Sequence, residues 1–431
     1  MAQHKMGFWS VVAVGVGGMV GGGIFAVLGL AVQLSQGGAP LAFAIAGAIA
    51  LLTTYAYAQL SITFPSRGGT VTFLNKAYGT GVFTGGLNLL LWLSYIVMLS
   101  LYASAFGSYG SVFFPESAQG WAKHGLISAA IIGVTGLNLL SADLIGRVES
   151  WIVAFKLSIL ALFIALGIRG VDPSRLQPAS WASPLAIISG GMIIFLAFEG
   201  FELMANTAED VQRPERTLPR AYYSAVSFVL VLYILIAGTA VGSMPLDQVV
   251  AAKEYALAAA AKPFMGQAGF SLVAIAALLS TASALNATLY GTSRLSYIVA
   301  KSGELPVALE KKIWNQPIEG LLITSGLTLI VANVFDVSGI STMGSSGFLM
   351  IFAAVNFANV RLYQQTHSYR WISGLGAMAC LGAVIVLLQH TAQTQPRNLW
   401  VVVAMVSLAF AIEALYRQFA RRSIHLHDSA D

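Results

Sequence analysis

The chain has 431 residues, of which 57% are hydrophobic and only 10% are charged, and its formal net charge is +5. Soluble globular proteins carry about 25% charged residues, so this composition excludes a chain whose whole surface faces water. Its mean hydropathy is +0.76, and the apolar residues form runs about 20 residues long, which is the length of a transmembrane helix. We therefore predict one all-α integral membrane domain over residues 1–431.

Twelve membrane spans are predicted along the chain. They cover 8–34, 40–63, 78–110, 124–141, 147–168, 186–207, 219–243, 269–298, 319–335, 339–362, 371–390 and 398–417. The loops and termini on one predicted side of the membrane carry 15 Lys and Arg residues, and the loops on the other side carry six. Because cytoplasmic loops are enriched in Lys and Arg, we expect both termini, including the tail 418–431, in the cytoplasm and the protein in the inner membrane. The net positive charge follows from this topology and does not indicate nucleic acid.

The first span contains the stretch GVGGMVGGGIF, in which six of eleven residues are glycine. A dinucleotide-binding loop would need a preceding strand and a βαβ unit, and a series of membrane spans offers neither. Close helix packing explains some of these glycines, but three in a row, Gly21 to Gly23, favour an unwound segment. Unwound backbone persists in a bilayer only where polar groups pair with it, and a free amino acid offers both a carboxylate and an ammonium group.

The sixth span is interrupted by Glu199, Gly200 and Glu202 in a Phe-rich stretch. Two broken helices five spans apart predict two five-helix repeats of inverted topology, with a substrate site between them near the midplane. The first repeat covers 8–168 and the second covers 186–362, and the last two spans lie within 371–417. Because no His, Asp or Ser cluster suggests catalysis, and Cys380 is the only cysteine, we expect no enzyme, cofactor or metal site.

Four segments resemble the amino acid–polyamine–organocation (APC) superfamily of secondary transporters. They are GGGIF at 21–25, FEGFE at 198–202, EDVQRPERTLPRA at 209–221 and RLSYIVAKSGELP at 294–306. The segments LLWLSYIVM, AAKPFMG, LNATLYG and KSGELP look closest to the proton-coupled, sodium-independent ApcT-type transporters of prokaryotes. The resemblance implies a LeuT-like fold with ten core helices plus two, and uptake of small L-amino acids by alternating access in a functional monomer.

The broken helices and the resemblance together predict a substrate site. We expect the substrate carboxylate to meet N–H groups at the span-1 break, because a half-helix N-terminus suits an anion, and the ammonium to meet carbonyls of both breaks. Phenylalanines of span 6 are candidates for an aromatic lid, although ordinary packing explains them equally well. The predicted substrate-binding residues are Met19, Gly21, Gly22, Gly23, Ile24, Phe195, Phe198, Glu199 and Phe201.

Lys156 is the predicted proton-coupling residue. It lies at the middle of span 5, nine residues from Arg147, so about 13 Å of helix separates the two, and its side chain cannot easily reach the interface. An intramembrane lysine is paired or functional; a permanent ion pair with Glu199 or Glu202, or contacts with backbone carbonyls, is the structural alternative. The resemblance instead implies that its ammonium replaces the cation of sodium-coupled relatives, near span 8. Possible residues lining that position are Ser280, Thr281 and Ser283.

The two glutamates of span 6 leave several readings open. Glu202 matches an acidic position of the family and is a second candidate for proton coupling, whereas the closest relatives often have a neutral residue in place of Glu199. Glu199 can be a second proton carrier, a counter-ion to Lys156, a determinant for cationic substrates, or a structural carboxyl. The predicted function is therefore transport of neutral amino acids, with a cationic amino acid or polyamine carrier as the alternative. A channel would need a continuous polar stripe along several spans, and this sequence lacks one. A receptor that does not transport is the distant alternative.

Overall fold

In a computed structural model of the protein, residues 5–140, 145–301 and 318–420 are described. Within these ranges all regular secondary structure is helical, and two isolated β-bridges occur in the loops. The predicted all-α fold class is therefore confirmed. The second half of the 294–306 motif, Lys311, Lys312 and the tail from 421 onwards lie outside the described residues.

The α-helices are numbered in chain order, and most of them match a predicted span. They are α1 Phe8–Met19, α2 Gly23–Ser35, α3 Ala39–Thr63, α4 Thr70–Tyr78, α5 Val82–Ser111, α6 Glu116–Leu140, α7 Ile145–Gly167, α8 Pro184–Ile193, α9 Pro214–Ser243, α10 Leu246–Ala251, α11 Ala256–Lys301, α12 Ile318–Val334, α13 Val337–Arg361, α14 Tyr363–Thr366, α15 Arg370–Thr394 and α16 Pro396–Ala420. Two 3₁₀ segments, Ile194–Phe198 and Phe201–Asp210, follow α8.

Nine helical segments of the described chain are long and apolar enough to cross a membrane, and the bent pair α1 and α2 makes a tenth. The remaining two predicted spans correspond to α6 and to α12, which has 17 residues. The count of twelve spans and the inverted repeat stay predictions.

Both predicted interruptions are present. Helices α1 and α2 meet at an angle of 45° across residues 20–22, which we call the span-1 break. In span 6, the α-helix ends at Ile193 and gives way to 3₁₀ turns on either side of Glu199 and Gly200; residues 194–202 are the span-6 break. The fold therefore places irregular backbone in the middle of two apolar spans, where its polar groups need partners from neighbouring helices.

Burial separates central helices from peripheral ones. The most apolar 18-residue stretch of α5 is 89% buried inside the protein. The corresponding stretch of α16 is only 22% buried, and that of Trp151–Gly170, which is mostly α7, is 28% buried. Helix α5 therefore runs through the centre of the fold and can offer side chains to both breaks. Helices α7 and α16 expose most of their surface to the surroundings, so a buried polar side chain on α7 must point inward.

Contacts between loops define two opposite faces of the helical bundle. At one face, Met6 and Val211 form a parallel bridge, and the Arg67 side chain lies 3.7 Å from both Glu209 and Asp210. Six predicted spans lie between Met6 and Val211, so an even number of crossings returns the chain to this face. At the other face, Gln36 is bridged to Trp181.

Candidate functional site

The span-1 break exposes backbone carbonyls that α-helical bonding would otherwise satisfy. Their hydrogen-bond donors come from three other helices. The Tyr233 hydroxyl of α9 donates to the Met19 carbonyl over 2.7 Å, and the Ser280 hydroxyl of α11 donates to the carbonyls of Val20, over 3.1 Å, and of Gly21. From α7, the Lys156 ammonium donates to the Gly17 carbonyl over 3.1 Å. This unwound backbone is thus a polar centre within apolar surroundings.

Close approach of backbone and rings explains why glycine occupies this break. A Cβ atom on Gly23 would lie 2.8 Å from the Ala197 backbone, and one on Gly22 would lie 2.2 Å from the Tyr102 ring. On Gly21 it would lie 2.6 Å from the side chain of Ala284. The glycines therefore permit both unwinding and close packing, and the two readings of the sequence hold together.

The span-6 break is built around Gly200, whose φ of +115° strongly favours glycine. A Cβ atom on Gly200 would lie 2.5 Å from the carbonyl carbon of Gly18. The two breaks are thus in direct backbone contact. Upstream, the Ser345 hydroxyl of α13 bonds to the Ile193 carbonyl and accepts from the Leu196 N–H, which satisfies the backbone where the α-helix ends.

Glu202 supports the span-6 break with its own side chain. One carboxylate oxygen accepts a 2.7 Å hydrogen bond from the Gly200 N–H, and the other accepts a 3.0 Å bond from the Tyr95 hydroxyl of α5. The residue is 1% exposed. Glu202 therefore joins the unwound backbone to the central helix of the fold.

Glu199 differs from Glu202 in its bonding. It is 1% exposed, and its carboxyl lies against that of Glu202, so its hydrogen bond among the described residues is one that needs a proton on one of the two carboxyls. Its electrostatic neighbours are Glu202 and Cys380 of α15. A buried carboxyl without a donor is costly, so it is a candidate for binding a proton or a cation during function.

Lys156 is 2% exposed although it lies on the peripheral helix α7. Its side chain points inward and reaches the Gly17 carbonyl at the end of α1. The ammonium group is therefore held at the edge of the span-1 break. The sequence allows two structural contacts for Lys156, an ion pair with a glutamate or a contact with backbone carbonyls. The structure shows the contact with a backbone carbonyl.

The three predicted polar residues of α11 occupy different surroundings. Ser280 bonds to the span-1 break, as described above, whereas the Thr281 hydroxyl donates to carbonyls of its own helix at Ala277 and Leu278. Ser283 is partly exposed. The structure thus brings Ser280, but not Thr281, to the same unwound segment as Lys156.

The predicted aromatic residues of span 6 are completely buried, as is Ile24. Phe198 packs edge-on against Tyr233 at 5.2 Å, and Phe201 lies 5.4 Å from Tyr57 of α3. The ring of Phe195 lies 6.0 Å from Phe352 of α13. These rings join the span-6 break to helices α3, α9 and α13.

Tyrosines are the functional candidates that sequence reasoning missed. The Tyr233 hydroxyl donates to Met19 of one break and lies 3.1 Å from the Ala197 carbonyl of the other, so it bridges both. The Tyr102 hydroxyl lies 3.5 Å from the Gly18 carbonyl. A hydroxyl in the otherwise apolar run SFVLVLYILIAG was an available signal, because a buried Tyr hydroxyl needs a partner.

The described residues contain no group of three or more His, Cys, Asp or Glu side chains that could hold a metal. The arrangement instead offers buried backbone carbonyls, an ammonium group and two carboxyls where two unwound helices meet. It can bind a small zwitterion or a proton, and a discontinuous helix pair of this type is a feature of secondary transporters.

Comparisons with known proteins agree with this class. A family model described as amino acid permease matches residues 6–410. An uncharacterized protein of Methanocaldococcus jannaschii is 34% identical, with 98% of each chain covered, and the inner membrane transport protein YbaT of Escherichia coli is 34% identical, with 89% of each covered. A solved manganese transporter mutant of Eremococcus coleocola has the same fold, with a TM-score of 0.62 at 13% identity over 96% of each chain.

The fold and the paired helix breaks define a multi-pass membrane transporter rather than an enzyme. The chain belongs to the amino acid permease family of the APC superfamily.

Proposed function

We propose that this protein is a secondary active transporter that imports or exchanges small neutral L-amino acids by sodium-independent, proton-coupled alternating access. The observation that carries the proposal is the Lys156 ammonium, buried in the membrane domain and bonded to the Gly17 carbonyl at the end of α1, beside the span-1 break. An amine that gains and loses a proton at this position couples its protonation state to the conformation of the backbone that binds substrate.

The substrate site is proposed between the two breaks. The carboxylate of the amino acid binds N–H groups around Gly21 to Gly23, at the start of α2, where the helix dipole favours an anion. Its ammonium binds carbonyls near Met19 and in the 3₁₀ segment Ile194–Phe198. Tyr233, which bonds to both breaks, keeps the carbonyls of Met19 and Ala197 at a fixed separation.

Proton coupling is proposed to run through Lys156, with Glu202 as a second candidate. A charged lysine in a membrane interior is expensive, by about 2.5–3.5 kcal/mol on insertion scales. Losing its proton therefore removes this cost and turns the charge-assisted hydrogen bond to Gly17 into a weaker neutral one. Either change shifts the balance between outward-open and inward-open states.

The orientation is proposed from the loop charges. The face that carries Met6, Arg67 and Val211 is the cytoplasmic one, since its set of loops holds the excess of Lys and Arg. This orientation places both termini inside an inner membrane and the Gln36–Trp181 bridge outside.

The test is uptake of labelled L-alanine and L-arginine into proteoliposomes in sodium-free buffer. With an inward proton gradient, we expect alanine to accumulate above its equilibrium level and a protonophore to abolish the accumulation. Uptake that needs sodium, or alanine flux that ignores the proton gradient, would contradict the proposal.

Glu199 favours a second candidate function, transport of cationic amino acids or polyamines. When it and Glu202 are both ionised, its two buried carboxylate oxygens have no donor among the described residues, and a substrate amine would satisfy them. In this case arginine would accumulate in place of alanine, and Glu199→Gln would abolish that uptake. If Glu199→Gln leaves selectivity unchanged, this candidate is excluded.

A further inference from the structure

A cleft of about 710 Å³ lies outside the site described above, between the start of α5 and the helices α13 and α15. Its walls are mainly apolar, and several of the lining side chains are exposed: Phe83 is 53% exposed, Phe357 is 41% and Leu381 is 37%. In a membrane protein, such side chains face lipid. The cleft therefore has the chemistry of an acyl-chain binding surface.

Two arginines close one end of this cleft. Arg361 is the last residue of α13 and Arg370 is the first residue of α15, and both are exposed. Because one helix ends and the next begins there, the guanidinium groups lie at a membrane boundary. Tyr369 and Trp371, which are 68% and 69% exposed, flank Arg370 as aromatic residues do at the lipid headgroup level.

The two arginines lack acidic partners in the described part of the chain, where five ion pairs occur elsewhere. Their neighbours are aromatic instead: Arg370 lies 4.5 Å from the centre of the Tyr363 ring, and Arg361 lies 6.0 Å from that of Tyr78. A tyrosine phenol is neutral at physiological pH, so neither Tyr363 nor Tyr78 compensates these positive charges.

We propose that this cleft binds an acidic phospholipid, with its acyl chains against Phe83, Phe357 and Leu381 and its phosphate group bridging Arg361 and Arg370. Two uncompensated positive charges above an apolar cleft match the two parts of such a lipid. Basic pockets between transmembrane helices recognise anionic headgroups in the same way. The Tyr78 hydroxyl, which donates to the Ala354 carbonyl over 2.7 Å, holds α4 against α13 beside the cleft.

The experiment is a lipid titration of the purified full-length protein, in which native mass spectrometry counts the bound lipids. The probes are dioleoyl phosphatidylglycerol and dioleoyl phosphatidylcholine, which differ in headgroup charge. We expect phosphatidylglycerol to bind the native protein more tightly, and Arg361→Gln with Arg370→Gln to weaken it by about thirtyfold, or about fivefold for each arginine. Both side chains are exposed, so the double variant should fold normally.

Three controls keep the result specific. Arg216→Gln with Arg220→Gln removes two exposed arginines near the start of α9 and should leave lipid binding unchanged. Arg361→Lys with Arg370→Lys keeps the charge and should retain binding within about threefold. Inorganic phosphate should not compete, since it lacks acyl chains.

The proposal is overturned if phosphatidylcholine binds equally well, if the Arg361→Gln and Arg370→Gln double variant retains its affinity, or if inorganic phosphate displaces the lipid. It is also overturned if that variant changes the oligomeric state, because the cleft would then be a contact with a second copy of the chain. None of these readouts requires transport, so the lipid site and the proposed function stand or fall separately.

Discussion

The two helix breaks solve the same problem by different means. The span-1 break contains only glycine and apolar residues between Met19 and Gly23. The carbonyls of the break and of the end of α1 take hydrogen bonds from Lys156, Tyr233 and Ser280 on three other helices. The span-6 break contains its own acceptor, since Glu202 bonds to the Gly200 N–H two residues before it. The span-1 break therefore depends on donors from other helices, whereas the span-6 break supplies part of its own hydrogen bonding.

This difference suggests a division of roles. Helices that donate hydrogen bonds to the span-1 break can change its shape when they move, so that break is suited to respond to a proton on Lys156. Glu202 holds the span-6 break to the central helix α5 through Tyr95. The substitutions below test this contrast, from the largest expected effect to the smallest.

Gly200→Ala should have the largest effect on stability, because Gly200 lies where the two broken helices are in contact. The φ of +115° disfavours any side chain, and the new Cβ would lie 2.5 Å from Gly18. We expect a destabilisation of about 2–5 kcal/mol from strain and overpacking together, seen as loss of monodisperse protein in size-exclusion chromatography. Gly133→Ala on α6, where a Cβ meets nothing within 4 Å, is the control and should behave like the native protein.

Tyr233→Phe should have the next largest effect on stability, because the lost hydroxyl bonds to both breaks. Its loss leaves the Met19 carbonyl without this donor, at a cost of about 1–3 kcal/mol for a buried unsatisfied group. The midpoint of thermal unfolding in detergent measures the effect. Tyr223→Phe on the same helix, at a position 40% exposed, should leave the midpoint unchanged; equal shifts in both variants would show that the bridge contributes nothing.

Glu202→Gln and Glu199→Gln should separate the two carboxyls of the span-6 break. The first change turns one of two hydrogen-bond acceptors into a donor and should cost about 1 kcal/mol. The second changes only the contact with the Glu202 carboxyl, which is a hydrogen bond only when the two groups share a proton, so we expect a smaller loss of stability. Thermal unfolding of the two isosteric variants compares them directly, and a larger loss for Glu199→Gln would reverse the assignment of their roles.

The sequence predicted where the breaks lie, because glycines and charged residues are conspicuous within apolar spans. It did not predict which side chains satisfy them. Tyr233 lies 214 residues from Met19 along the chain, and only the packing of α9 against both breaks shows that its hydroxyl bridges them. Likewise, the charge of Lys156 was visible in the sequence, whereas its bond to Gly17 depends on how α7 is rotated about its axis.

The loop ion pairs show a similar limit. Arg213, Arg216 and Arg220 lie close to Glu209 and Asp210 in sequence, but Arg67 from the loop after α3 lies beside both acids. Short sequence separation is a weak guide here, since loops at one face of a membrane protein gather residues from distant spans.

The most direct test of the central claim compares proton-driven L-alanine uptake by the native protein and by Lys156→Ala in sodium-free proteoliposomes. We expect the variant to lose accumulation under an inward proton gradient while it still exchanges labelled for unlabelled alanine, which shows that it is folded and binds substrate. If Lys156→Ala accumulates alanine with unchanged proton dependence, Lys156 is structural, and coupling must run through Glu202 or Glu199 instead.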